Sequence, residues 1–172
     1  EEWWPSELFP KLGELGLLGV TVDPEYGGAG MDFLSCGVIA QAFSRWNHAL
    51  GLSWVVHDNL FANNIYANAS EFLKKKYLPE VCAGTKIGAL GLTEPGAGSD
   101  ALGSMRTTAR KDGDHYVLNG SKIYITNGPV ADVLLVYAKT EKDAGLEHLI
   151  ETNASIAYEA PALLYQDQEC NE

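Results

Sequence analysis

Basic residues are scarce in this chain: 12 Lys and Arg stand against 23 Asp and Glu, giving a net charge of -11. That balance repels phosphate backbones and anionic lipid, which argues against nucleic acid as a partner. A small anionic ligand is still admissible, because backbone donors and a few basic side chains act at short range. Cysteine is sparse as well. Cys36, Cys82 and Cys170 lie far apart, with no CxxC and no Cys/His grouping, so neither a metal site nor a disulfide framework is indicated. No apolar run approaches the roughly 20 residues that span a bilayer, and no basic start followed by an apolar block marks a secretory signal. The chain reads as soluble, and because it begins at Glu1 rather than Met it reads as processed or as a piece of something longer.

What is present suffices for a core, since 46% of the 172 residues are hydrophobic. The first half has helical periodicity. Leu8, Phe9, Leu12, Leu15 and Leu18 recur at three- and four-residue steps, predicting a helix over 7–18 with one buried stripe. A glycine-rich loop follows, Tyr26-Gly27-Gly28-Ala29-Gly30. Asp32 is placed to cap a second helix running to Trp46, with a break at Asn47. Residues 52–69 read as a strongly apolar helix. Ser70 then caps another in which Phe72, Leu73 and Tyr77 face inward and Lys74, Lys75 and Lys76 face water. After Gly84 the period becomes strand-like, over 87–92, 104–111, 116–125 and 133–139. Asp112-Gly113-Asp114 between two such runs predicts a hairpin. The fold class expected is α+β: a helical domain over 1–85, then an incomplete antiparallel sheet or barrel over 86–144. Residues 145–172 carry no Lys or Arg and only weak periodicity, and read as an acidic, irregular tail.

Two segments carry chemistry. Gly91-Leu92-Thr93-Glu94-Pro95-Gly96-Ala97-Gly98-Ser99-Asp100 leaves a strand for a loop of small residues with a hydroxyl near each end. Such a loop lets backbone approach a ligand closely and offers N–H and hydroxyl donors. Taken alone it reads as an ordinary strand-to-strand loop with a Glu-Pro turn. Asn119-Gly120-Ser121-Lys122-Ile123-Tyr124-Ile125-Thr126-Asn127-Gly128 reads as a strand between two Asn-Gly corners, with Tyr124 and Thr126 on one face. A ring beside a hydroxyl suits a planar cofactor, although both are also common strand residues.

Together the two segments, the first ending at Gly103, resemble the acyl-CoA dehydrogenase family, whose pattern G-L-T-E-x-x-A-G-S-D-x-x-G the first matches in full. Leu12-Gly13-Glu14-Leu15-Gly16-Leu17-Leu18-Gly19, Glu25-Tyr26-Gly27-Gly28-Ala29-Gly30 and Lys76-Tyr77-Leu78-Pro79 resemble that family's first helix, following loop and fourth helix. The likeness runs from Pro5 to about Thr140. It implies a helical domain, a middle β domain and a C-terminal four-helix bundle that these residues do not represent, with FAD between the last two. It further implies that Leu92, Thr93, Gly98 and Ser99 line the flavin, with Ser99 also near the acyl-CoA substrate, and that Tyr124, Ile125 and Thr126 hold the isoalloxazine. Where the family usually has Trp, this chain has Tyr124.

The implied reaction is α,β-dehydrogenation of a short or branched acyl-CoA thioester, with an electron-transferring flavoprotein as acceptor and a homo-oligomer, a tetramer in the family, as assembly. The implied compartment is the mitochondrial matrix in a eukaryote or the cytoplasm in a bacterium. The family's catalytic base is a glutamate on the bundle, so no catalytic residue is assigned here. Leu146-Glu147-His148-Leu149 has some likeness to the base's surroundings in isovaleryl-type members but comes too soon after the strand at Val133, and Glu147 reads as an incidental solvated acid. His57 and His148 read as a packed helix histidine and a surface one. Two alternatives stand beside this: a non-catalytic truncated remnant or interaction module, and an acyl-CoA oxidase-like flavoenzyme.

Overall fold

The computed structural model describes residues 5–113, 115–140, 149–153 and 164–166. The chain divides into two compact units, Glu1–Gly88 and Ala89–Glu172.

The first unit is helical. Helix α1 (Leu8–Glu14) stops earlier than its apolar spacing predicts. Gly16 adopts a left-handed φ of +66°, and the Leu17 amide returns to the Leu12 carbonyl at 2.9 Å, which closes the helix. Leu15 is consequently 70% exposed instead of joining the stripe, while Leu18 reaches the core from the next turn. Helix α2 (Phe33–Trp46) begins where Asp32 Oδ1 accepts from the Ser35 amide at 2.9 Å. Helix α3 (His48–Val55) is opened by Asn47, whose Oδ1 accepts from the Leu50 amide at 3.0 Å. It passes into a π-helical stretch, Val56–Asn63, and then into α4 (Asn64–Asn68). Helix α5 (Glu71–Cys82) starts at Ser70, its hydroxyl accepting from the Leu73 amide at 3.4 Å. Within it Tyr77 is buried as expected, but Phe72 is 52% exposed and faces water.

Phe9, Leu12, Leu18, Val20, Cys36 and Trp54 form this unit's core, and the Trp54 indole N–H donates to the Leu17 carbonyl at 2.6 Å. Burying a side chain such as Phe9 contributes about 1.5–3 kcal/mol. His57 sits in the π-helical stretch, fully buried. Its Nδ1 accepts from the Gly88 amide at 3.1 Å, so the ring's proton belongs on Nε2, which donates to the Val81 carbonyl at 3.0 Å. Burial lowers its pKa to about 4, against the smaller opposing effect of the Val81 carbonyl. It is the packed helix histidine that the sequence suggests. Helix α2 is apolar on two sides: Cys36, Ile39 and Phe43 turn to the core, while Phe33, Leu34 and Val38 are exposed.

The second unit holds strand β1 (Gly88–Gly91) from its second residue on, then β2 (Thr108–Asp112), β3 (His115–Asn119), β4 (Val133–Tyr137), β5 (Leu149–Asn153) and β6 (Leu164–Gln166), with the short helix α6 (Ala101–Ser104). They form two three-stranded sheets, ordered β1-β4-β5 and β2-β3-β6. The expected hairpin is there: β2 and β3 are antiparallel with Asp112 opposite His115, and Gly113 takes a φ of +63° in the turn. The sheets are tied by the Ala109 amide donating to the Lys139 carbonyl at 2.8 Å and the Lys139 amide donating to the Thr107 carbonyl at 2.9 Å. Ala109, Leu118, Val136 and Ala138 pack there.

Three expectations need correction. The strand read over 104–111 begins only at Thr108, because Asp100 caps α6 by accepting from the Gly103 amide at 3.2 Å. The strand read over 116–125 ends at Asn119. Gly120 there lies so close to Thr107 that a Cβ would fall 2.6 Å from its Cα, and the chain leaves the ladder. The stretch 145–172, read as irregular, contributes β5 and β6: β5 pairs antiparallel with the apolar β4, from Val133 opposite Asn153 to Tyr137 opposite Leu149. Glu147, His148 and Cys170 lie outside the described residues.

Candidate functional site

Strand β1 delivers the chain into the first motif at Gly91. Pro95 and Gly96 then make a tight turn, closed by reciprocal hydrogen bonds: the Glu94 amide to the Ala97 carbonyl at 2.9 Å and the Ala97 amide to the Glu94 carbonyl at 3.1 Å. Gly96 and Gly98 face open space where a Cβ would meet nothing within 4 Å, so backbone at this tip is approachable. Gly98 and Ser99 are exposed, and Leu92 and Thr93 half-buried.

The second motif, 119–128, is not a strand with two side chains on one face. After Asn119 it runs as an irregular segment in which Tyr124 takes a φ of +57° and is 86% exposed. A bulky residue in that region costs about 1–2 kcal/mol and needs neighbours to hold it. Ile125 and Thr126 are half-buried and enter a turn in which the Gly128 amide donates to the Ile125 carbonyl at 2.9 Å and Asn127 has φ +65°.

Hydrogen bonds bring the two motifs together. The Ile123 amide donates to the Thr93 carbonyl at 2.9 Å. The Lys122 ammonium donates to the Leu92 carbonyl at 3.0 Å and to Glu94 Oε1 at 2.9 Å. Glu94 in turn accepts from the Thr107 amide on Oε1 at 2.9 Å and from the Arg106 amide on Oε2 at 2.6 Å. Burial alone would push the Glu94 carboxyl up, but Lys122, Thr107 and the Arg106 amide outweigh it and bring the pKa down to about 2. Burial lowers that of Lys122, with Glu94 opposing. Lys122 and Glu94 are residues that reading for cofactor contacts passes over. The available signal was a lysine as the sole charged residue of one motif and a glutamate among small and apolar residues in the other.

Among the described residues no hydrogen bond engages the hydroxyls of Thr93, Ser99 or Thr126. The structure thus links Leu92 and Thr93 directly to the segment leading into Tyr124, with Gly98 and Ser99 beyond the Pro95-Gly96 turn. Among the described residues no group of three or more His, Cys, Asp or Glu is placed to hold a metal ion, and no helix is long and apolar enough to cross a membrane.

Comparison with known proteins agrees with this architecture. Residues 1–85 match the family model described as acyl-CoA dehydrogenase, N-terminal domain, and residues 89–157 match the acyl-CoA dehydrogenase, middle domain. The chain is 51% identical to the mitochondrial isovaleryl-CoA dehydrogenase of Bos taurus over 138 residues, 80% of this chain and 32% of that one. It is 44% identical over 144 residues to a short-chain specific acyl-CoA dehydrogenase of Clostridium acetobutylicum, covering 84% of this chain and 38% of the other. Among solved structures, acyl-CoA dehydrogenase complexed with FAD from Bacillus anthracis superposes with a TM-score of 0.80 at 44% identity, covering 88% of this chain and 26% of that one. The chain spans about a third of the length of the two curated relatives. Two consecutive domain models, the paired motifs and the superposition together place this chain in the acyl-CoA dehydrogenase family of oxidoreductases, represented by its N-terminal and middle domains.

Proposed function

We propose that this chain carries the flavin-contacting portion of an FAD-dependent acyl-CoA dehydrogenase acting on short or branched acyl-CoA thioesters. The observation that supports it most is the joining of the two motifs through Lys122 and Ile123, beside hydroxyls that no described residue engages. The residues suit a planar, polar-edged cofactor. Gly98 leaves backbone bare for close approach, Tyr124 offers an exposed ring to stack, and Thr93 and Thr126 offer donors for the polar edge. Leu92 and Ile125 supply apolar lining, and Ser99 lies on the substrate side.

FAD, when bound, supplies the acceptor for the hydride that leaves the acyl β-carbon. Tyr124 would hold its ring, and Thr93 and Thr126 would supply hydrogen-bond donors where negative charge builds on its polar edge. Removal of the α-proton needs a carboxylate at hydrogen-bond distance from it. Glu94 does not serve, because its oxygens are held by Lys122, Arg106 and Thr107. The base is proposed to lie outside these two motifs. Electron-transferring flavoprotein is the proposed acceptor of the electrons and an oligomer the proposed assembly. The relatives give precedents for both a mitochondrial and a bacterial setting.

The site is open to solvent at Gly98, Ser99 and Tyr124, so flavin affinity should be low. In amide spectra of the 15N-labelled chain, about 1 mM FAD is expected to shift Thr93, Gly98, Ser99, Tyr124 and Thr126 selectively. Absence of any shift in both motifs would overturn the site assignment. Dye reduction with isovaleryl-CoA or butyryl-CoA and added FAD should match the blank, since loss of a positioned base costs about 10²–10⁴ in rate. Activity above the blank that disappears in Glu147→Gln would instead make Glu147 the base.

A further inference from the structure

We infer that Glu94 and Lys122 are positioning residues: their ion pair clamps the backbone at Leu92–Glu94 to the segment entering Tyr124 and so holds the Tyr124 backbone in its left-handed conformation, with the ring exposed. This rests on reading the two motifs as a ligand-contacting site. It extends that reading to residues that touch no ligand themselves.

The pair is buried, with side-chain exposures of 10% for Lys122 and 4% for Glu94. A buried ion pair is a poor source of stability, because desolvating two charges offsets most of their attraction, and apolar replacements of similar volume often do as well or better. What apolar side chains cannot reproduce is direction. Lys122 reaches both Glu94 and the Leu92 carbonyl, and Glu94 gathers the Arg106 and Thr107 amides, so one pair ties three separate backbone segments. The next residue after Lys122 donates its amide to the Thr93 carbonyl, and the one after that is Tyr124 at φ +57°. A tyrosine in this region does not stay there unaided. It is anchored on its C-terminal side by the Ile125 to Gly128 turn and on its N-terminal side by Ile123 and the clamp. Releasing the clamp leaves the Ile123 hydrogen bond as the one remaining anchor described on the N-terminal side.

The test uses the full 172-residue chain, 15N-labelled, with amide exchange read at Ile123, Arg106 and Thr107 and with thermal melting recorded in parallel. Lys122→Met and Glu94→Gln should each speed exchange at these three amides at least tenfold while the α5 amides keep their native rates, and Lys122→Arg should restore most of the protection. The double replacement Glu94→Leu with Lys122→Met should recover the melting temperature without recovering loop protection. If that double variant recovers both, the pair is merely structural and the inference fails; it fails equally if Lys122→Met exchanges within twofold of native. Should the single variants not fold, the double variant decides alone. FAD-induced shifts at Tyr124, measured in the same samples, should fall at least threefold in Lys122→Met. A native chain showing no FAD shifts but intact clamp protection would sink the flavin reading and leave the clamp standing.

Discussion

His57 illustrates how a single buried group sets a pH limit. Its pKa is about 4 in the folded chain against an ordinary 6.5, so between these values the unfolded chain binds the proton more readily. Stability from the neutral ring is therefore complete above about pH 6.5 and declines as pH falls towards 4, by about 3 kcal/mol in all. Asp58 works in the opposite sense, since burial raises its pKa and the folded state takes up its proton first on acidification. Denaturant unfolding at pH 7, 5.5 and 4.5 should show the decline in the native chain and a much flatter profile in His57→Gln. That amide can still accept from Gly88 and donate to Val81 but does not titrate. Equal slopes in the two proteins would remove His57 as the cause. Glu94 behaves differently again. Its depressed pKa means that its contribution is present above its ordinary value of 4.5 and is lost only as pH drops towards about 2, so the Glu94 carboxylate stays ionised through the His57 window.

At the scale of elements, the ends of helices matter as much as their faces. Helix α5 is closed by Gly84 at φ +71°, where a Cβ would lie 2.2 Å from the Phe9 carbonyl oxygen. Gly84→Ala should lower stability by roughly 2 kcal/mol or more, combining the left-handed penalty with a backbone clash. Gly113, with a similar φ but open space around it, should accept Asn with little change. Thermal melts of the two variants make the comparison, and equal losses would discredit the clash argument. These ends also show why some elements could be read from sequence. Asp32 and Ser70 carry their caps in their own side chains, and Asp112-Gly113 carries its turn in its own backbone preference, so local residues suffice. The segment after Asn119 was misread because Ile123, Tyr124 and Ile125 are strand formers whose partners are not a strand. One is tied to the Thr93 carbonyl, a contact across 30 residues that no periodicity encodes. For the same reason the motifs could be recognised from their residue types, while Lys122, which joins them, could not. The π-helical stretch was invisible too. Its burial of His57 and Asp58 is a tertiary choice, and an ordinary helix over 52–69 fits the same letters.

For the molecule as a whole, charge and apolar surface pull in opposite directions. With a net charge of -11, copies of the chain repel one another at low ionic strength, where the screening length is about 30 Å at 0.01 M salt. Helix α2 offers Phe33, Leu34 and Val38 to solvent, and from Phe33 to Trp46 it carries no acidic residue at all. A helix apolar on both sides is one whose outer side has lost or awaits a neighbour. In colloidal terms, the second virial coefficient should be positive in dilute buffer and turn negative as salt reaches about 1 M, where screening shrinks to roughly 3 Å and the apolar face meets its like. Static light scattering across that range should show the reversal in the native chain and its suppression in Val38→Glu. A coefficient that stays positive at high salt would mean that the outer face of α2 is too small or too broken to make the protein stick to itself.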